Sequence, residues 1–301
     1  MTGFTRNVAA AALALWLFGA AAPALADGPT LAPPGAITFQ LGALKLTALR
    51  DAGFVLPNDG GEFGSSVGPR VVGQLLTAAG ASDYQIALSV DALLIRMPGH
   101  IVLLDTGVGP SDHGALQASL RMAGVAPGEV TDVLITHAHD DHVGGLMGAD
   151  GKSAFPRAAI RLSAREWAWM RAQPDERRLA AAIAPQVRTF APGRPILPGI
   201  TPIALYGHTP GHVGYQIASG GEKIEDIGDT AHSSIISLER PGWTGWIDED
   251  PKAAAATRAK ELKRLAASGE RIFAPHFPYP GVGWIVARGR GYAWKPDPGV
   301  R

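Results

Sequence analysis

Three histidines and two aspartates fall within six consecutive positions, His137-Ala138-His139-Asp140-Asp141-His142. Imidazole nitrogens suit zinc and its neighbours among the divalent metals, and carboxylates add the negative charge that a second cation needs. Along an extended segment His137 and His139 point to the same side. A helix starting at Asp141-His142 then turns two more donors toward them, so one tight loop can serve two adjacent ions. Gly144-Gly145 allow the backbone to pack closely behind that loop. The chain holds nine histidines in all, and a chance polar loop does not explain three of them in six positions.

Other polar groups follow short apolar runs in the same manner. Asp105-Thr106-Gly107 closes the run HIVLLD, and Gly207-His208-Thr209-Pro210-Gly211-His212 comes after ITPIAL. Gly228-Asp229-Thr230 comes after IEDI, and Pro275-His276 after RIFA. The patterning predicts strands over Ile37–Leu49 (with a turn at Gly42), Tyr84–Met97, His100–Asp105, Val130–Ile135 and Ile160–Leu162. Further strands are predicted over Ile200–Leu205, Val213–Ala218, Ile224–Ile227 and Arg271–Ala274. Helices are predicted over Val71–Ala79, Leu116–Met122, Ala164–Ala172 and Asp250–Ala267, the last with Pro251 in its first turn, where proline is tolerated. Gly28–Gly35 reads as a connector and residues 51–70, rich in Gly, Asp and Ser, as a long loop. Chemistry-bearing residues at the ends of buried strands are the arrangement of sites built from loops on a rigid α/β scaffold.

The 301 residues suffice for one large core. Lys+Arg and Asp+Glu number 27 each, so no basic excess argues for a nucleic-acid partner. Residues 1–26 have the form of a secretory leader. Arg6 is their only charge, an apolar run spans Val8–Ala22, and Ala24-Leu25-Ala26 offers a small-x-small exit. Cleavage is expected before Asp27. That leaves residues 27–301 as a single domain in the periplasm or outside the cell, with no membrane anchor. There is no cysteine, which removes disulfides, thiolate metal sites and cysteine nucleophiles together. No Ser-His-Asp arrangement is apparent.

The H-x-H-x-D-H loop and the four other motifs, in this order over residues 37 to 295, resemble the metallo-β-lactamase fold family. The resemblance implies an α/β protein in four layers, αββα, with two mixed sheets between helices. It implies one metal ion on His137, His139 and His212, a second on Asp141, His142 and His276, and Asp229 bridging them. Asp105 would orient a ligand imidazole through a hydrogen bond, and His208 is assigned a supporting role. Two divalent ions, zinc by ligand type although Mn, Co or Fe suit the same donors, would activate a hydroxide held between them, with Asp141 relaying a proton to the leaving group.

The segments GDTAHSSIISLERPGWTGWIDEDPKAAAATRAKEL and APHFPYPGVGWIVARGRGYAWKP resemble methyl parathion hydrolase and its lactonase and aryl-esterase relatives. This points to a small substrate with an ester-like bond: a lactone, an aryl ester or an organophosphate triester. Acyl-homoserine lactonases of this fold often carry a tyrosine three residues after the bridging aspartate. Here that position is His232, a candidate contact to the developing oxyanion. Trp169 and Tyr279 are candidate pocket residues. Trp243 and Trp246 could pack a homodimer interface, dimers being common in this branch. His100 and His113 carry no motif and read as structural or exposed. The alternatives are an acyl-homoserine lactonase or β-lactamase on the same fold, or a periplasmic metal-binding protein without turnover. A zinc β-lactamase of the commonest kind would need a cysteine that this chain lacks.

Overall fold

In this computed structural model residues 28–300 are described. The expected leader, residues 1–26, lies outside them. Among the described residues no helix is long and apolar enough to cross a membrane. The order is β1 (Thr30–Leu41), β2 (Leu44–Pro57), α1 (Pro69–Ala78), β3 (Gln85–Met97), β4 (His100–Leu104), α2 (Leu116–Met122), β5 (Asp132–Leu134) and α3 (Asp140–Val143). Then come β6 (Ala159–Ser163), α4 (Ala164–Ala172), α5 (Arg177–Ile183), β7 (Val187–Phe190), β8 (Ile200–Ala204), β9 (Val213–Ser219) and β10 (Glu222–Asp226). The chain ends with α6 (Ile236–Glu239), α7 (Pro251–Ser268), β11 (Arg271–Phe273), β12 (Val282–Arg288) and β13 (Gly291–Pro296).

Two mixed sheets form. One is ordered β1-β2-β3-β4-β5-β6-β7, antiparallel as far as β4 and parallel beyond it. The other is ordered β13-β12-β11-β10-β9-β8, with its parallel pair at β10 and β11. Strand alternation assigns each apolar side chain a layer. Leu93, Ile95, Val102, Leu104 and Leu134 meet Ile200, Val213, Tyr215, Ile217 and Phe273 between the sheets. Their neighbours Ala92, Leu94, Leu103, Val133 and Ile135 face outward, against Leu116, Leu120, Met170, Leu179 and Ile183 on helices. On the far side Leu262 and Leu265 of α7 cover Ile272, Ala274 and Ile285. The layers are therefore αββα. Burial on both faces explains why HIVLL and VTDVLI are continuous apolar runs rather than alternating ones.

Two sequence expectations are corrected. The Gly28–Gly35 connector is mostly strand, since β1 begins at Thr30 and pairs with β2, its register shifting between Leu31 and Gly35. Pro33 and Pro34 fall in that irregular stretch on an edge strand, where missing N–H donors cost no ladder bond. The loop expected over 51–70 begins only after Pro57. β2 continues past a bulge at Arg50/Ala52 and pairs with β3 as far as Pro57↔Gln85. Asp51, which reads as a loop residue, is a buried anchor accepting Val108 N–H (2.8 Å) and Leu116 N–H (2.7 Å).

Candidate metal centre

Five loops leaving the C-terminal ends of β4, β5, β8, β10 and β11 converge at one end of the sandwich. Thr136, where β5 ends, fixes the histidine loop to the β4 loop. Its N–H and hydroxyl both donate to the Asp105 carboxylate, at 2.8 Å each. Asp105 also accepts from His142 Nδ1 at 2.8 Å, so Nε2 of that ring faces the site. The other rings are held similarly through their outer nitrogens, a device that fixes tautomer and aim. His276 Nδ1 donates to Ser89 O (2.7 Å) and His208 Nδ1 pairs with Asp248 (3.0 Å). Gly228, at φ 45°, lies against the site floor, where a Cβ would stand 2.5 Å from His212 Nε2.

The inward-facing donors form two groups. His137 Nε2 lies 3.1 Å from His139 Nδ1 and 3.2 Å from His208 Nε2. His142 Nε2 lies 3.3 Å from His276 Nε2, and Asp141 Oδ2 is 3.5 Å from the latter. Asp229 stands between the groups, with Oδ1 3.2 Å from His142 Nε2 and Oδ2 within 3.7 Å of His137, 3.4 Å of His208 and 3.1 Å of His276. His232 Nε2 also reaches Asp229 Oδ2, at 3.1 Å. Two facing imidazole nitrogens can share one proton at most. A cation accepting their lone pairs satisfies all of them at once, and the His and Asp donors fit divalent metals. Asp229 Oδ1, buried without a hydrogen-bond partner, fits the same occupant.

The electrostatics agree. Burial drives His137 and His208 well below the usual imidazole range, leaving neutral rings with free lone pairs. Burial alone would raise Asp229, but the imidazoles of His142, His276, His232 and His137 outweigh it and hold the carboxyl well below the usual carboxylate range. Burial also opposes charge on His276, yet Asp229 and Asp141 raise its pKa to about 9. The proton there sits where a bound cation would replace it.

The structure brings together His137, His139, Asp141, His142, Asp229, His232 and His276, with Asp105 behind His142. It exchanges His212 for His208. Both ring nitrogens of His212 are committed to the backbone, Nδ1 donating to Leu205 O (2.8 Å) and Nε2 accepting Asp229 N–H (3.0 Å). Burial takes its pKa down to about 4. The motif offers two histidines, and spacing alone cannot say which one the loop turns inward. Tyr279 is also corrected. Beyond His276 the chain turns back to the first sheet, where the Tyr279 hydroxyl donates to Ala48 O (3.1 Å) and the ring lies on Gly35, away from the site. His100 pairs with Asp132 at 2.9 Å, remote from the cluster.

Two supporting residues escaped the sequence reading. Glu166, buried on α4, accepts Ala138 N–H (2.8 Å), the Thr209 hydroxyl (2.7 Å) and Gly211 N–H (2.9 Å), so one carboxylate ties the β5 loop to the β8–β9 loop. Asp248 holds His208 and is itself held by Arg258 of α7 at 2.9 Å. An acidic residue on a helix carries no local sign of such a role. The nearest available signal is the Ser163-x-x-Glu166 spacing, which the N-cap bond from Glu166 N–H to Ser163 Oγ realises at 3.0 Å.

The cluster floors an open cavity of about 570 Å³. Phe54, Leu56, Leu88, Trp169, Trp246 and Ile247 give it apolar walls. Trp169 stands edge-on to His139, with ring centroids 5.7 Å apart. Trp246 is at the mouth, its backbone N–H bonded to Gly61 O, while Trp243 packs beside α1 and α6.

Comparison with known proteins agrees with this arrangement. The chain shares 29% identity with AidC, a dizinc quorum-quenching lactonase solved in complex with the product N-hexanoyl-L-homoserine, at a TM-score of 0.83 over 88% of this chain and 98% of that one. It shares 29% identity with AbOPH, a hydrolase in the beta lactamase superfamily, at a TM-score of 0.79 over 89% and 99% of the two chains. Metallo-beta-lactamase domain-containing protein 1 of Xenopus laevis is 32% identical over 168 residues, 54% of this chain. That match spans 61% of the frog protein. The model of the metallo-beta-lactamase superfamily matches residues 86–276, more than half of the chain and all five site loops, and the chain belongs to that superfamily of metal-dependent hydrolases.

Proposed function

We propose that the protein is an exported binuclear-metal hydrolase of ester-like bonds, with lactones and aryl esters as its leading substrates. The observation that carries this reading is the sharing of Asp229 between two donor groups at the floor of an apolar-walled cavity. His137, His139 and His208 would hold one ion, Asp141, His142 and His276 the other, and Asp229 both. Zinc is the metal of choice by ligand type. Ions held there would supply a water of lowered pKa and Lewis acidity toward the oxygen of the scissile group.

The chain's own residues do the rest. The apolar walls exclude water and seat the acyl or aryl part of the substrate. His232 lines the cavity, which supports a role for its imidazole toward the oxygen on which charge develops. Asp141 retains some exposure and has a carboxylate oxygen with which to carry a proton to the departing alcohol. A lactone is favoured by the product complex of AidC. A carrier protein without turnover is disfavoured, because the donors come from five separate strand ends rather than a flexible His-rich stretch.

The test is hydrolysis by the zinc-loaded mature protein of dihydrocoumarin, p-nitrophenyl acetate, methyl parathion, an acyl-homoserine lactone and nitrocefin, beside an Asp229→Ala control. Turnover of lactone or aryl ester that disappears in the control supports the reading. Two bound equivalents of zinc with no turnover across the panel would sink it. Export predicts that protein recovered from the periplasm or medium begins at Asp27, read by intact mass. A homodimer predicts twice the chain mass in sedimentation.

A further inference from the structure

We propose that the site selects its substrates by charge, preferring esters or lactones that carry an alkylammonium group and rejecting those that carry a sulfonate, phosphate or carboxylate. The proposal rests on reading the site as an ester hydrolase and goes on to name its substrate class. Glu62, Asp140, Asp175, Glu176 and Glu249 all line the cavity, and no lysine or arginine is among its lining residues. Burial, with Asp140 beside it, raises the Glu176 pKa to about 8, so this pair shares a proton near neutrality and four carboxylate charges remain. The chain as a whole has equal numbers of acidic and basic residues, so this imbalance is local. The arginines of α4 are turned elsewhere, Arg165 over the Tyr206 ring at 4.4 Å and Arg171 over Trp167 at 5.4 Å.

That the cavity takes a ligand stands on separate observations. His232 Nδ1, on a residue lining its floor, is buried without a hydrogen-bond partner. Trp169 and Trp246 add indole rings to the same lining. Indole and carboxylate together favour a quaternary or alkylated ammonium, which the ring quadrupole attracts and which loses little hydration on entry. Toward the mouth an anion meets carboxylates with no basic side chain beside them, in a cleft with low-dielectric walls that focus the field against it, while the cations held by the donor cluster act at the floor. Polyanions are the most strongly excluded.

Three p-nitrophenyl esters of equal chain length, ending in tert-butyl, trimethylammonium or sulfonate, isolate charge at nearly constant shape. With the zinc-loaded protein at low ionic strength, kcat/KM should fall from cation to neutral ester and from neutral ester to anion, by about tenfold per step. The spread should shrink to about twofold near 0.5 M salt, where the Debye length is only several ångströms. It should also shrink in the Glu62→Gln/Asp175→Asn/Glu249→Gln variant. A sulfonate ester cleaved as fast as the tert-butyl ester, or a spread indifferent to the three substitutions, overturns the proposal.

A second readout needs no turnover. Trp246 is 69% exposed, and its emission, isolated by difference from Trp246→Phe, can be quenched by iodide or caesium. The ratio of iodide to caesium quenching constants should rise about threefold or more in the triple variant; an unchanged ratio overturns the proposal. If the neutral tert-butyl ester is not hydrolysed, the ester-hydrolase reading falls, and the quenching ratio alone decides whether the mouth selects by charge.

Discussion

Replacing His208 and His212 by alanine, one at a time, should separate two losses that the sequence motif cannot. His212 gives both ring nitrogens to the backbone at 2.8 and 3.0 Å, and the residues it serves, Leu205 and Asp229, are each 3% exposed. Orphaning a buried backbone group costs about 1–3 kcal/mol, and two orphans plus the void left by an imidazole come to about 4 kcal/mol. That is a large share of the ordinary stability of a domain. His208→Ala removes one contact to Asp248, which keeps its bond to Arg258 at 2.9 Å, so the metal-free chain should lose only about 1–2 kcal/mol. Its deficit should appear in zinc affinity. Altering a residue that merely supports a ligand already costs about 10–100-fold, and removing a donor that faces two other imidazoles should cost at least the upper figure, about 2.7 kcal/mol. Urea unfolding of the metal-free proteins and zinc titration against a competing chelator measure the two quantities apart. If His212→Ala loses zinc with its stability intact while His208→Ala keeps both, the assignment of the two histidines made from their hydrogen bonds is wrong.

Glu166→Gln keeps the shape of the side chain but leaves one of its three donors without an acceptor; the expected loss at pH 8 is about 2 kcal/mol in urea, together with weaker zinc binding, because Ala138 and Thr209 sit in different ligand loops. Gly228→Ala should lower both stability and zinc content, since its Cβ would meet His212 Nε2 at 2.5 Å on a backbone at φ 45°; a variant with full zinc content would contradict the close packing. Glu225→Gln should have an effect on stability that grows with pH. Burial, with Glu261 beside it, raises the Glu225 pKa from 4.5 to about 9, so the native state favours the protonated acid; the stability this confers is complete below about pH 4.5 and is lost as pH rises toward 9. The glutamine cannot ionise, so the stability of the variant relative to wild type should rise from pH 4.5 to pH 8–9, as thermal unfolding across that range would show; a difference independent of pH would contradict it.

The layered fold and most strands were legible because apolar runs such as HIVLL and VTDVLI are buried on both faces and end abruptly at polar residues. α2 and α4 fall where their periodicity puts them. The final hairpin, β12 and β13, and the pair α5 and β7 were not foreseen. β12 reads VGWIVAR and β7 only VRTF, with much of each exposed, so their place is set by pairing with a neighbour rather than by their own pattern. In the site, the dense loop His137–His142 declared itself by composition. His208 and His212 could not be told apart, because the choice depends on Gly207 tucking against Ala254 of α7 and on Asp248, forty residues away in sequence. Tyr279 was misplaced for a related reason. Three residues beyond a ligand is close along the chain, but the intervening turn carries the ring to the opposite side of the strand end.

Asp229 and the imidazoles around it bear on more than catalysis. The donors belong to both sheets, with His137 following β5 in one and His276 following β11 in the other. An ion pair held there cross-links two halves of the sandwich across on the order of 140 residues of chain. A covalent bridge closing a loop of that size restricts the unfolded state by about 4–5 kcal/mol, and this protein has no cysteine with which to make one. The cation supply of its compartment would then do for this chain what an oxidising environment does for disulfide-bonded proteins. Its survival there, against proteases that act on opened chains, would follow metal availability as closely as its activity does.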